Sequence, residues 1–75
     1  MRRYSIVLTP DPEEGGYVVD VPALPGCHTQ GDTLEETIAN AREAIAVWIK
    51  SAEKHGEDIP EEQVPPQVIT IDVAA

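Results

Sequence analysis

The sequence predicts an α+β domain with the element order β-β-β-α-β, in which a four-stranded mixed sheet carries one helix on one face. Three observations predict this class. Short segments that alternate apolar and polar residues lie near both ends of the chain, as in half-buried strands. One long central stretch has apolar residues at helical spacing instead. The length of 75 residues suits one domain, so residues 1–75 are treated as a single unit.

The first two strands are predicted to pair antiparallel. Residues 4–9 and residues 17–21 each direct alternate apolar side chains to one face. The connection, residues 10–16, contains two prolines, which cannot continue a ladder, and two glycines, which accept positive φ. A connection this short favours an antiparallel pair. A third, short strand is predicted at 27–31, at an edge of the sheet, because the proline-rich corner 22–26 interrupts regular pairing.

A helix is predicted from Leu34 to His55. Thr33 followed by Glu36 fits a capping box, in which each residue bonds the backbone N–H of the other. Gly56 is placed to end the helix. One apolar stripe runs along about five turns, and its members are Leu34, Ile38, Ala41, Ile45, Trp48 and Ala52.

A fourth strand is predicted at 68–73, after a linker rich in proline and glutamate at 57–67. Ile69, Ile71 and Val73 alternate with polar or smaller residues and would share one face. Because a crossover helix precedes it, this strand is expected to lie parallel to the first one, with a right-handed connection. The predicted strand order is therefore 3-2-1-4.

Charge is the most informative bulk property. Fourteen acids and five bases give a net charge of −9. Nucleic acids are bound chiefly by neutralising phosphates with lysine and arginine, so direct binding of DNA or RNA is not expected. Opposite fields speed encounter and select partners, which favours a basic protein partner. The alternative is that the acids only keep a small domain soluble. Three clusters hold most of them: Asp11/Glu13/Glu14, Asp32/Glu35/Glu36 and Glu57/Asp58/Glu61/Glu62.

No metal, cofactor or catalytic residue is expected. With one cysteine the chain forms no internal disulfide, and Cys27 and His28, adjacent on a strand, would point to opposite faces and make no nucleophile–base contact. No apolar run approaches the roughly 18 residues of a membrane span, and the unpaired cysteine fits a reducing compartment, so we expect a cytoplasmic location and no membrane contact. The thin core and poorly guarded sheet edges predict a homodimer or higher homo-oligomer.

Residues 15–36 read GGYVVDVPALPGCHTQGDTLEE. A glycine pair before a strand, a Val-Pro-x-Leu-Pro-Gly-Cys corner, a Thr-Gln-Gly-Asp edge and a Thr-Leu-Glu-Glu helix start make this segment similar to the HicB family of antitoxins, and the resemblance extends over nearly the whole chain. It implies a partial ribonuclease-H-like fold and a non-catalytic antitoxin that binds a small, basic, mRNA-cleaving toxin of the HicA type and masks its active site. Ala23 and Thr37 depart from the pattern. No DNA-binding motif follows the last predicted strand, so operator binding is not expected.

Two other interpretations stay open. One is an orphan oligomerising domain with a structural or regulatory role. The weaker one is a metal-dependent nuclease, since the implied fold is shared with nucleases. Two-metal cleavage needs carboxylates that converge from neighbouring elements. Asp20, Asp72 and either Glu36 or Glu43 are available, but the first predicted strand contains no acid, so catalysis is not expected.

The partner interface is predicted on charged and apolar groups of the first half of the chain. Leu24 lies on the proline-framed corner and is the candidate apolar contact, pre-organised at low entropic cost. Trp48 is predicted to be a core residue, with the alternative that it anchors a partner. The candidates for charge pairing with a basic partner are Asp11, Glu13, Glu14, Glu35 and Glu36.

Overall fold

A computed structural model describes residues 2–62 and 64–74. Strands β1 (Val7–Pro10), β2 (Tyr17–Asp20) and β3 (His28–Gly31) are followed by helix α1 (Leu34–Lys54). The strands form one antiparallel sheet in the order β1-β2-β3, and α1 packs across one face against β2 and β3. The predicted order of the first four elements is found, with shorter strands than expected.

The core lies between the sheet and α1. Leu8 pairs with Val19 across β1 and β2, and Val19 pairs with Thr29 across β2 and β3, so one row of side chains faces the helix. Five buried residues form the central cluster: Val19, Val21, Leu24, Cys27 and Ala41. Partly buried residues pack around it: Tyr4, Ile6, Leu8, Ala44, Ile45 and Trp48. Trp48, predicted to be a core residue, is partly buried and packs against this cluster.

The proline-rich corner folds Leu24 into this core. The Leu24 N–H donates to the carbonyl of Val21, and the Cys27 N–H donates to the carbonyl of Leu24, each at 3.0 Å. Gly26 adopts a φ of +77°, a left-handed conformation that glycine accepts without steric cost. These consecutive turns reverse the chain between β2 and β3 and leave Leu24 only 1% exposed.

The helix begins with the predicted cap. Thr33 is extended (φ −119°, ψ 163°), and its Oγ1 accepts a hydrogen bond from the Glu36 N–H at 3.1 Å. Glu36 Oε1 accepts from the Asp32 N–H at 3.4 Å, so the reciprocal bond reaches the residue before the one predicted. At the other end His55 is the C-cap and Gly56 has a φ of +66°, so α1 ends one residue earlier than predicted.

Thr33→Ala is expected to lower the free energy of unfolding by about 1 kcal/mol, because the Glu36 N–H loses its acceptor at the helix start. For a domain of this size that corresponds to a fall of roughly 4–8 °C in Tm. Thr33→Ser, which keeps the hydroxyl, is the matched control and should stay near the parent value. Calorimetry at one fixed protein concentration measures both; equal melting of the two variants would contradict the role of the cap.

The predicted four-stranded sheet of order 3-2-1-4 is wrong. Within residues 2–62 and 64–74 the sheet has three strands, and residues 68–73 belong to neither a strand nor a helix. The chain that returns after α1 is bound by Tyr4 and Ser5, just before the start of β1, and does not lie along the edge of that strand. Tyr4 Oη donates to the Pro60 carbonyl at 2.7 Å, and the Glu62 carboxylate accepts from the N–H and hydroxyl of Ser5 at 2.7 and 2.6 Å.

Prolines then direct the chain past the sheet. Val64 and Pro66 line a shallow groove with Pro22 and Ala23, on the far side of β1 from its open edge. Pro65 and Pro66 fix their own φ and bias the residue before each toward extended conformations. Residues 68–73 have the sequence pattern of a strand. Because Val64 and Pro66 lie beside Pro22 and Ala23, the segment that follows them does not reach the open edge of the chain's own β1.

Candidate functional site: an acidic groove beside the start of α1

A concave surface of about 410 Å³ lies between the β1–β2 turn and the start of α1. We call it the acidic groove, because Asp11 and Glu14 border it on one side and Asp32 and Glu36 on the other. The first two acidic clusters, about twenty residues apart in sequence, therefore meet in space. Its remaining lining residues come from the sheet and the helix: Gly15, Tyr17, Val18, Gln30, Gly31 and Asn40.

The β1–β2 turn is held in place by its own backbone. Asp11 Oδ1 accepts hydrogen bonds from the N–H groups of Glu13 and Glu14 at 3.0 and 3.2 Å, the turn geometry typical of aspartate. Gly16 has a φ of +78°, and a Cβ added there would lie 2.5 Å from the Gly31 carbonyl oxygen. Glycine at this position lets the turn approach the end of β3, which brings the two pairs of carboxylates to one groove.

The helix side of the groove is fixed by the capping bonds of Glu36. Both Asp32 and Glu36 lie where the positive end of the α1 dipole stabilises a carboxylate. Asn40, one turn further, donates from Nδ2 to the Gln30 carbonyl at 2.9 Å. This bond ties α1 to the edge strand β3 at the floor of the groove. The negative side chains therefore project from a rigid base.

The charged side chains that line the groove are all negative among the described residues. Among its described lining residues four are acids and none is a lysine, arginine or histidine. Over residues 2–62 and 64–74, the structure has no group of three or more histidine, cysteine, aspartate or glutamate side chains that could hold a metal ion. Four carboxylates without a basic side chain among them give the described lining a negative potential.

The predicted interface residues fall into three groups. Asp11, Glu14 and Glu36 line the acidic groove. Glu13 and Glu35 are exposed beside it without lining it. Leu24 is buried in the core, so it offers no surface for a direct apolar contact.

Asp32 was not among the residues predicted for the interface. Its position immediately before the helix cap, opposite a turn with three acids, was the available signal. This position would have predicted Asp32 as an interface residue only if the β1–β2 turn and the start of α1 were already known to be neighbours in space.

The residues that were considered as catalytic candidates do not converge on one site in the described structure. Cys27 is buried and His28 is exposed, so the two side chains point to opposite faces, as predicted. Burial, together with the nearby Asp20 carboxylate, raises the pKa of the Cys27 thiol, which keeps it protonated. Asp20 ends β2, whereas Glu36 is near its other end, where Tyr17 pairs with Gly31. The two residues therefore lie toward opposite ends of β2.

A second groove, of about 510 Å³, lies between the corner and the middle of α1. Trp48 borders it and donates from Nε1 to the Pro25 carbonyl at 3.0 Å. This bond joins the helix to the corner that carries Leu24, so Trp48 serves the packing of the core. In the part of the chain that the structure describes, no helix combines the length and apolar character that a membrane crossing requires.

Comparison with known proteins identifies the family. Residues 4–71 match the model of the HicB-like antitoxin of bacterial toxin–antitoxin systems. The chain is 53% identical over 58 residues to a UPF0150 protein of Thermoplasma acidophilum, an alignment that covers 77% of this chain and 83% of that protein. A UPF0150 protein of Synechocystis is 42% identical over 57 residues, covering 76% and 77% of the two chains.

The protein named Antitoxin HicB 1 of Photorhabdus laumondii is 41% identical over 58 residues. That alignment covers 77% of this chain and 37% of the longer relative. The segment from the glycine pair to the helix start, which forms the acidic groove and the Leu24 corner, lies inside the residues that the family model matches. The chain belongs to the HicB-like antitoxin family of bacterial toxin–antitoxin systems.

Proposed function

We propose that this chain is an antitoxin that binds a small, basic, mRNA-cleaving toxin of the HicA type and covers the surface where that toxin binds RNA. The acidic groove is the contact that draws the toxin in, and the chain itself performs no chemistry. Since the target of such a toxin is mRNA, the complex acts in the cytoplasm. The observation that carries the proposal is the convergence of Asp11, Glu14, Asp32 and Glu36 on one groove.

Two physical arguments support the choice of partner. A toxin that cleaves RNA presents a basic surface to phosphates, and a groove with four carboxylates and no basic lining residue in the described chain offers the complementary potential. The net charge of −9 extends this attraction beyond the contact. The family supports the antitoxin role, and the charge of the groove supports its choice as the contact surface.

The proposal is tested by removing charge without changing shape. In the variant Glu14→Gln/Asp32→Asn/Glu36→Gln, amides replace three carboxylates, and the Glu36→Gln side chain retains a carbonyl acceptor for the bond from the Asp32 N–H. We expect the association rate with the toxin, taken as the small basic protein encoded beside this chain's gene, to fall about 10-fold to 100-fold at 0.1 M salt. Stopped-flow binding measures the rate, and co-expression measures relief of toxin-induced growth arrest.

The matched control is Glu53→Gln/Glu57→Gln/Asp58→Asn, which removes three exposed acids outside the acidic groove. Its association rate should stay within about threefold of the parent, since charges more than a Debye length of about 10 Å away are screened at 0.1 M salt. The difference between the two variants should shrink as salt rises. Equal losses in both would show that only the total charge matters, and a toxin that neither binds nor is neutralised by the parent chain would refute the proposal.

We further propose that the chain works as a homodimer or higher homo-oligomer. Support comes from apolar side chains near the C-terminus that the single chain leaves exposed.

A further inference from the structure

Residues 64–74, which we call the C-terminal arm, are unusual for their exposure. The arm has no helix or strand of its own, and its large apolar side chains are mostly exposed: Val64 79%, Val68 85%, Ile69 73%, Ile71 74% and Val73 76%. Isolated exposed apolar residues are ordinary, but a contiguous run of this kind marks a contact surface. The alternation of Ile69, Ile71 and Val73 is that of a strand with one face buried.

The arm projects from the body of the molecule. The radius of gyration is 14.4 Å and the principal extents are 47 × 28 × 20 Å, whereas a compact domain of this length has a radius of gyration of about 11 Å. Two hydrogen bonds fix the residues just before the arm: Tyr4 Oη donates to the Pro60 carbonyl, and the Ser5 N–H donates to the Glu62 carboxylate. Pro65 and Pro66 stiffen the next step, so the arm is presented outward at low entropic cost.

The open edge of β1 is a matching acceptor. The Asp11 N–H donates to the Gly16 carbonyl, and Pro10 pairs with Tyr17. In an antiparallel ladder the bonding direction alternates along the strand. The backbone groups of Thr9 and Val7 therefore point to β2, while those of Leu8 point to the open side. A further strand could pair there.

A groove of about 340 Å³ runs between this edge and α1. Its apolar floor includes Ile6, Ile38 and Ile45. Arg2, Arg3 and Arg42 border it, and these are all the arginines of the chain. In a molecule with a net charge of −9 this is the one concentration of arginine, so the groove favours an occupant that is apolar on one face and acidic on the other.

We propose that the arm of one copy of this chain lies along the open edge of β1 in a second copy, and that the second copy returns the same contact. Ile69, Ile71 and Val73 enter the groove beside α1, and Asp72, the only acid in residues 64–74, adds a negative charge on the other face of the arm. At about 3.3 Å per residue, residues 68–74 span roughly 23 Å, enough to follow residues 4–10. Each chain keeps its own three-stranded sheet.

A second copy is favoured over the basic toxin as the occupant of this groove. Arg3 and Arg42 disfavour a basic protein, while Arg2 lies 3.9 Å from the Glu61 carboxylate; an acidic chain that carries a complementary apolar strand is attracted to such a rim. Strand addition to a free edge satisfies backbone groups and buries alternate side chains, and two-fold exchange makes both contacts identical. The exchange also removes an exposed edge that would otherwise template aggregation.

The first test is the mass of the full chain by light scattering, which should be twice 8.1 kDa or a larger even multiple. Ile71→Glu places a charge in the groove and should reduce the mass to that of one chain. Thr70→Glu adds the same charge on the opposite face of the arm and should leave the assembly intact. Because Ile71 is 74% exposed in the single chain, circular dichroism of Ile71→Glu should still show a folded helix.

The second test separates exchange from other forms of association. In a mixture of isotope-labelled and unlabelled full chains, filtered nuclear Overhauser spectra should show contacts from the Ile71 methyl groups to Ile6 or Leu8 between differently labelled chains. The same contacts seen only within one chain would mean that the arm folds back on its own body. A monomeric parent protein, or a dimer that Ile71→Glu leaves intact, would also overturn the proposal.

Discussion

Leu24→Ala is expected to lower the free energy of unfolding by about 3 kcal/mol, within the range for truncating a buried leucine. Leu24 is 1% exposed and packs in the central cluster with Val19, Val21 and Cys27. Removing its side chain takes away apolar burial and leaves a cavity that the corner, tied by two backbone hydrogen bonds, is poorly able to close. Urea denaturation at one fixed protein concentration measures the loss, since self-association is linked to stability.

Leu34→Ala is the matched control, because the chemical change is identical and the side chain is 50% exposed at the start of α1. We expect it to cost less than about 1 kcal/mol. Comparing the stability and toxin affinity of the two variants also tests whether Leu24 contacts the partner. If Leu24→Ala were as stable as Leu34→Ala and yet lost affinity for the toxin, Leu24 would act as a surface contact and its assignment to the core would be wrong.

Gly31→Ala is expected to cost about 3 kcal/mol through overpacking. A Cβ added at Gly31 would lie 2.7 Å from the Thr37 Cα and 2.8 Å from the Thr37 N. Both are backbone atoms of α1, so relief requires the helix to move away from β3. Thr37 is fully buried, and its Oγ1 donates to the Thr33 carbonyl at 2.6 Å, which leaves it little freedom to adjust.

Gly15→Ala separates this steric effect from backbone preference. Gly15 has a φ of +80°, and a Cβ added there meets nothing within 4 Å, so the expected cost is about 1 kcal/mol from the left-handed conformation alone. Thermal or urea unfolding of the two variants should therefore differ by about 2 kcal/mol. Similar stabilities would show that α1 yields easily and that its close approach to β3 is not tightly packed.

Elements with local signals were predictable from the sequence. The capping residue Thr33 and the stop at Gly56 define α1 to within one residue, because caps and left-handed glycines act over a single turn of chain. The glycines and prolines of the first turn and of the corner likewise predict where the first three strands end. At the start of α1 the apolar stripe was a poorer predictor of which side chains are buried: Leu34 and Ile38 are 50% and 36% exposed, whereas Thr37 is buried. Gly31 draws that end of the helix onto β3 at Thr37.

The candidate site was predictable only in part. Charge counting selected the acidic clusters, and three of the five predicted acids line the groove. The sequence carried no sign that Asp11 and Asp32 are neighbours, because that depends on the approach of the Gly16 turn to the end of β3. For Leu24, composition suggested an apolar contact on a rigid corner, but the direction in which the corner points is set by backbone turns whose geometry emerges only on packing.

By itself the sequence determined the element types of β1, β2, β3 and α1, the excess of negative charge and the membership of an antitoxin family, since alternation, caps and motif spacing are local properties. Tertiary structure alone decided that Leu24 faces inward, that two acidic clusters share a groove and that the last apolar segment leaves the sheet. The physical reason in each case is a contact between residues distant in sequence. The hydrogen bonds from Ser5 to Glu62, which join residues 57 positions apart just before the arm, are such a contact, and no local pattern encodes them.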